Sequence, residues 1–270
     1  YMRAPSVKKD ASKKREDDGV LEHATTQEAG VTLTRQSPLK VSTLVSVAPL
    51  RDVTNDFGVM ARHEGDPVPH EHEFYRTSLQ GLFSVDLRMS GRFYHINKTG
   101  FKHLDEIRLS LAKEQDLKEY DNGKAFELSL EERSLRIEKL LTGLMTINGG
   151  AKQAIHYTDV LPKFILLAVA KGGNHMFSTA IGADQKGLPK INVEAIKEMA
   201  RVYKDEFISG IYVGLNRGYL DDQRPNIEEA LQEISNNQEY GHRKTFIGHP
   251  KEAIEVFIEE MKKDRTIWLK

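Results

Sequence analysis

The sequence predicts an α+β fold, and three observations carry that expectation. Short β-branched and apolar runs alternate along the chain with amphipathic stretches of helical period. Residues 49–80 separate two such runs without a convincing period of their own, yet hold Phe57, Val59, Met60, Phe74 and Tyr75, too many apolar groups for a disordered loop. The composition, 39% hydrophobic and 29% charged over 270 residues, is that of an ordinary folded chain. It is long enough for one large domain or for a core with a substantial insertion.

Taken in order, Tyr1, Met2, Arg3 and Ala4 read as the end of an element already under way, so an N-terminal portion with a first strand is expected to precede them. Residues 5–29 are polar, dense in Lys, Asp and Glu and without period, as expected of a mobile loop, either solvated or serving as an arm on RNA. Residues 41–47 are β-branched and apolar with small hydroxyls between, which predicts a strand. Phe83, Val85, Leu87 and Met89 alternate with Ser84, Asp86 and Arg88, the two-residue period of a half-buried strand, and Gly91 turns it toward 93–96. The run 49–80 between these strands is expected to be a structured projection, a long hairpin.

A helix is predicted over 101–117. A better one opens at Ser129, which with Glu132 makes a capping box, and carries the apolar stripe Ile137, Leu140, Leu141 and Leu144 until Gly149 and Gly150 end it. Residues 163–170 are nearly all apolar, as in a strand buried on both faces. A helix at 193–203, a strand at 208–215 and helices at 227–234 and 250–261 complete the pattern, the last with Pro250 near its start. No internal repeat is visible.

Composition excludes several classes of function. With no cysteine there is no disulfide, no thiolate metal site and no cysteine nucleophile, which fits a reducing cytoplasm. The longest clean apolar run, 164–170, is far short of the ~18 residues that span a membrane. The formal net charge of −1 hides an uneven distribution, with Lys8, Lys9, Lys13, Lys14 and Arg15 crowded early and Glu131, Glu132, Glu255, Glu259 and Glu260 on later helices. A near-neutral chain binds nucleic acid only where its cations converge, which favours a local RNA path over a general coat on duplex DNA.

Candidate chemistry is sparse. His63, His70 and His72 with Glu71 and Glu73 suggest a metal, but His-x-His supplies only two ligands, and no zinc spacing is present; solvated or RNA-facing side chains are the expectation. Asp52 and Asp56 are the carboxylates available for metal-dependent cleavage, although carboxylates in a polar loop commonly form turns. Gly172 and Gly173 after a strand lack the further glycines of a nucleotide loop. The run Gly149, Gly150, Ala151, Lys152 and Gln153 is stronger. Glycines let backbone N–H groups approach a phosphate, Lys152 would neutralise it, and Gln153 would bond a sugar or base edge; a plain helix cap with an exposed lysine is the other reading.

Ser37, Pro38, Leu39, Lys40, Val41 and Ser42, then Asn55, Asp56, Phe57, Gly58, Val59, Met60, Ala61 and Arg62, then 70–82, together resemble the DevR-type CRISPR-associated family. Its members are the RNA-binding backbone subunits (Cas-seven family) of type I Cascade complexes, here of the I-B or I-A kind. Residues 1–4 look like the tail of that family's phenylalanine-glycine-aromatic-methionine run, and 149–153 sit where the family places a glycine-rich RNA contact. The match of order and spacing covers about 1–170 and is weaker beyond.

The resemblance implies an RRM-like (ferredoxin-like) antiparallel sheet core with helical insertions and a thumb. Residues 1–48 would be a core segment carrying the charged loop, 49–80 the thumb, 81–175 the rest of the core with its helical insertion, and 176–270 an α/β extension packed on it. It further implies several copies in a helical filament along one CRISPR guide RNA, joined by other Cascade subunits, each thumb displacing one base so that the rest pair with a target DNA strand. Gly149, Gly150, Ala151, Lys152, Gln153, Arg51, Arg62 and Lys40 are then the expected RNA contacts, and Met2, Leu50, Phe57 or Met60 the base wedge. No catalytic residue, cofactor, metal or membrane is expected. Two rivals remain open: an RNA-cleaving backbone subunit of the type III kind using Asp52 or Asp56, and a transcriptional regulator, for which no recognition helix is apparent.

Overall fold

A computed structural model describes residues 33–50, 52–61, 64–96, 102–149 and 153–270, and the fold they form is mixed α and β. The chain enters as β1 (Leu39–Val41) and β2 (Val45–Ser46), and then runs out and back as β3 (Thr54–Met60) and β4 (Val68–Phe74). It returns through β5 (Leu79–Gln80) and β6 (Phe83–Val85). β1 pairs antiparallel with β6, β2 with β5 and β3 with β4, so 39–85 is one long, interrupted two-stranded ribbon.

The strand expected over 41–47 is therefore split, and the cause is a bulge. Val41 faces Phe83 and the Ser42 N–H still donates to the Leu82 carbonyl, but Val45 faces Gln80, so Thr43 and Leu44 oppose the single Gly81. The Ser42 hydroxyl also accepts the Leu82 N–H, and a Cβ on Gly81 would lie 2.5 Å from Leu44 Cδ2. The alternating strand expected through 89 stops at Val85. Asp86 accepts the N–H groups of Arg88 and Met89 with its own carboxylate, which makes a turn where the pattern promised a strand.

Next come β7 (Arg92–Tyr94), α1 (Glu106–Glu114), β8 (Lys118–Tyr120), β9 (Ala125–Glu127) and α2 (Leu130–Leu144). β9 lies between β7 and β8 in an antiparallel sheet, against which α1 buries Ala112 beside Leu104 and Phe126. The helix expected from 101 begins at Glu106, because the Asp105 carboxylate caps the Arg108 N–H. At α2 the Ser129 hydroxyl accepts the Glu132 N–H. That helix ends at Met145 and not at the Gly149–Gly150 pair, for the Thr146 hydroxyl reaches back to the carbonyls of Thr142 and Gly143.

The short α3 (Gln153–His156) leads to β10 (Phe164–Leu167), the hairpin β11 (Ile181–Ala183) with β12 (Pro189–Ile191), and α4 (Val193–Val202). Then follow β13 (Ile211–Leu215), α5 (Arg224–Asn236), β14 (Thr245–Gly248), α6 (Pro250–Lys263) and α7 (Arg265–Trp268). β13 is central, antiparallel to β10 and parallel to β14 across the α5 crossover, so this pair departs from an all-antiparallel expectation. Helices cover both faces. On one, Ile137, Ile165, Leu167, Tyr212, Ile254, Phe257 and Trp268 form a cluster from α2, α6 and α7. On the other, Ile196, Val213, Leu215, Ile227, Leu231 and Ile234 form one with α4 and α5. β10 is thus covered on both sides, Ile165 and Leu167 facing the first cluster and Phe164 and Leu166 the second. α6 starts on a capping pair, His249 N–H donating to the Glu252 carboxylate at 2.7 Å while His249 Nδ1 accepts from Lys251 N–H at 3.1 Å.

A buried ionic node ties the β7–β9–β8 sheet to the chain's last helix. Arg133, 1% exposed, donates to the carbonyls of Ser90 at 2.8 Å, Leu87 at 3.1 Å, Arg88 at 3.2 Å and Leu269 at 2.6 Å. It also stands 3.6 Å from Glu127, which accepts from Arg92 and Lys118 at 2.8 Å each. Burial alone would raise the Glu127 carboxyl, but bonds from Lys118 and Arg92 outweigh it and hold it below the ordinary 4.5.

Candidate nucleic-acid interface

The ribbon's outer part, β3 with β4, has two unlike faces, because paired residues of an antiparallel ladder share a side. On one face lie Thr54, Asp56, Gly58 and Met60 with their partners Phe74, His72, His70 and Val68. On the other lie Asn55, Phe57 and Val59 with Glu73, Glu71 and Pro69. The first is half-covered. The His70 ring lies across Gly58, where a Cβ would come within 2.7 Å of Nε2, and meets His72 edge-on at 4.7 Å between centroids. His72 is followed by Phe74 at 6.2 Å. His70 Nδ1 is shielded and has no hydrogen-bond partner, an acceptor or donor left for a ligand.

The second face is open and acidic. Phe57 is 75% and Val59 67% exposed, Glu73 stands beside them, and Glu71 accepts from the Asn55 amide. The ribbon's base is tied to the body through Gln80 Nε2, which donates to the Ser178 carbonyl at 3.1 Å.

The row of rings on the first face continues into the segment after α2. His156, the last residue of α3, packs on Phe74 with centroids 4.9 Å apart. This contact sets the projection against α3, the helix that opens at Gln153, the last residue of the run singled out from sequence. Gly149 has φ +155° and nothing within 4 Å of the place a Cβ would take. Gln153 opens α3. Gly150, Ala151, Lys152, Arg51, Arg62 and Met2 lie outside the described residues, as do His63 and the charged loop 5–29. Lys40 is exposed on β1 opposite Ser84, and Leu50 is exposed before β3. Phe57 and Met60, both candidate wedges, are exposed on opposite faces. Asp52 is exposed, and Asp56 faces His72 across the ladder.

Two residues that sequence reasoning passed over belong here. One is His156. The other is Tyr157, which is 91% exposed and holds a left-handed backbone with φ +45°. An aromatic residue pays about 1–3 kcal/mol for such a conformation. The signal was present as a His-Tyr pair that begins three residues beyond Gln153, the end of the glycine run. Among the described residues no cluster of three or more His, Asp or Glu is placed to hold a metal ion, and no described helix is long and apolar enough to cross a membrane. No family model matches the chain, and neither a curated protein nor a solved structure does.

Proposed function

We propose that this chain is a CRISPR guide-RNA-binding backbone subunit of a type I Cascade complex. It holds single-stranded RNA on the His70–His72–Phe74 face of the ribbon, next to the residues that follow Gly149, and performs no chemistry. The observation that carries the proposal is the Phe74–His156 contact, which sets α3, just beyond the glycine run, against the ribbon. That surface suits RNA of any sequence. It offers rings for stacking and, on the ribbon, Asp56 as its one carboxylate, so the guide's bases stay free to pair with a target DNA strand. Met60 is the wedge on this side, and exposed Tyr157 a platform for an unstacked base. In this reading the core is RRM-like, the ribbon is the thumb, and further copies and other Cascade subunits extend the assembly.

The test is to purify the chain and characterise what it carries. RNA of uniform length is expected, along with near-equal affinity for unrelated single strands and a salt slope of roughly −0.7 per phosphate contacted. Equal affinity for duplex DNA would sink the reading. Magnesium-dependent cutting of a complementary RNA, abolished by Asp52→Ala or Asp56→Ala, would replace it with an enzyme of the type III kind.

A further inference from the structure

Among the described residues, every buried or half-buried arginine but one has a negative charge beside it. Arg92 and Arg133 share Glu127, Arg224 stands 3.6 Å from Glu228, Arg265 holds Glu131, and Asp205 acts on Arg243. The exception is half-buried Arg35. Its Nη2 donates to the carbonyls of Met89 at 2.8 Å and Arg92 at 3.1 Å, and its guanidinium lies 4.4 Å from the centre of the Phe93 ring. Its Nη1 donates to nothing among the described residues, and its Nε is shielded without a partner. The charge that acts on it is a like one. Arg136 of α2, 5.9 Å from the same ring, is exposed and pairs with no carboxylate among the described residues. Burial, and then Arg136, hold the Arg35 guanidinium below its ordinary pKa. Two cations gathered at one ring repel each other, and a half-buried cation without a counter-charge is costly, so the arrangement calls for an anion.

We propose that Arg35 and Arg136 bind a compact phosphate dianion, free phosphate or a phosphate monoester, beside the Phe93 ring. Arg35 is the fixed half of the site. Its two carbonyl bonds and the ring hold the guanidinium in place, so little freedom is lost on binding, and Nη1 is left to donate. Arg136 closes from the solvent side, where a planar fork suits two phosphate oxygens. Two guanidinium groups balance a dianion, whereas a carboxylate or a diester would leave one charge over. The surroundings favour a small ligand over a strand of phosphates. Glu132 lies one turn before Arg136 on α2, and Glu106 stands 3.7 Å from Lys102, whose carbonyl accepts the Thr34 N–H next to Arg35. A polyanion would have to pass these carboxylates. The site shares no residue with the ring face of the ribbon, and it stands or falls apart from the RNA-holding reading.

The experiment titrates the full chain with inorganic phosphate at about pH 8, where phosphate is a dianion, and follows arginine Nε–H signals by NMR. Arg224, whose Nε is likewise shielded and unpartnered, is the internal control. The Arg35 signal should shift saturably with phosphate and not with chloride at equal ionic strength, while the Arg224 signal stays in place. Arg136→Gln should weaken phosphate about 10- to 100-fold, the range of a lost charge-assisted bond, and leave the melting temperature in chloride unchanged because Arg136 is exposed. Arg136→Lys, which keeps the charge and loses the fork, should fall between. No shift beyond that in chloride overturns the site, and so does an Arg136→Gln variant that binds as the parent does. Dimethyl phosphate, a monoanionic diester, should bind far more weakly than phosphate. Equal binding of the two overturns the dianion assignment, as does displacement of phosphate by a single-stranded RNA with hydroxyl ends.

Discussion

Tyr157 holds a strained conformation in full solvent, where no packing repays it, and that combination makes a measurable trade. Tyr157→Gly should raise stability by about 1 kcal/mol through relief of the left-handed backbone and yet weaken RNA binding about 5- to 100-fold, the range of one lost base–aromatic stack. Thermal melts and fluorescence anisotropy on the same sample separate the two effects. A stabilised variant with unchanged affinity would leave the strain without a role. His103 makes a different prediction. Its Nδ1 accepts the Tyr94 N–H at 2.9 Å, which requires the neutral ring, and burial, then the nearby Arg35, push its pKa below the ordinary 6.5. A depressed histidine pKa means that the unfolded chain takes the proton first. Its contribution is therefore complete above pH 6.5 and lost as the pH falls below it, at no more than about 1.4 kcal/mol per unit. Melting temperature should fall from pH 7 to 5, and His103→Asn, which keeps an acceptor, should flatten that slope; an unchanged slope refutes the assignment.

At the scale of elements, the ribbon is anchored at its base and otherwise packed chiefly on itself. Val47 N–H donates to the Ser78 carbonyl just beyond the β2–β5 pair, so a turn can close there. Replacing residues 49–76 with a short Gly-Ser loop should leave the core melting within a few degrees of the parent, since no residue of either large cluster on the β10–β13–β14 sheet is removed, while cooperative RNA coating is lost. Collapse of the core fold would show that the ribbon is a structural member.

The same elements show what a sequence carries and what it hides. α2, α4, α5 and α6 were legible because ten or more residues display a helical period. β10 was legible because four apolar residues in succession need cover on both faces. β8, β9, β11, β12 and β14 have three or four residues each, too few to show a period, and only turn residues announce two of these pairs: Asp121, Asn122 and Gly123 before β9, and Asp184 with Gly187 at positive φ before β12. The bulge at Gly81 was invisible because it depends on the register of a partner strand. At the site, the glycine run and the projection could each be read. The packing of α3 on the projection through Phe74 and His156, 82 positions apart in sequence, could not.

For the whole molecule the ionic node on Arg133 is the weightiest single contact. Arg133→Met would leave carbonyls from two chain segments, the loop 87–90 and Leu269, without their donor and Glu127 without its third cation. Breaking a buried ion network by removing one member costs about 3–5 kcal/mol, against ~0–1 for an exposed pair such as Arg265–Glu131. Denaturant melts of Arg133→Met and Glu131→Gln should show that contrast, and a small loss at Arg133 would mean water replaces it. The node also sets how the native molecule opens. Because one guanidinium holds the loop after β6, stands against Glu127 of β9 and binds the carbonyl that follows α7, these parts cannot detach separately. In hydrogen exchange the amides of β9 and of α7 should lose protection through one shared opening, with a common free energy and common denaturant dependence. The ribbon lies outside that unit, and its amides should exchange through smaller fluctuations, so the projection can breathe without loosening the body that carries it.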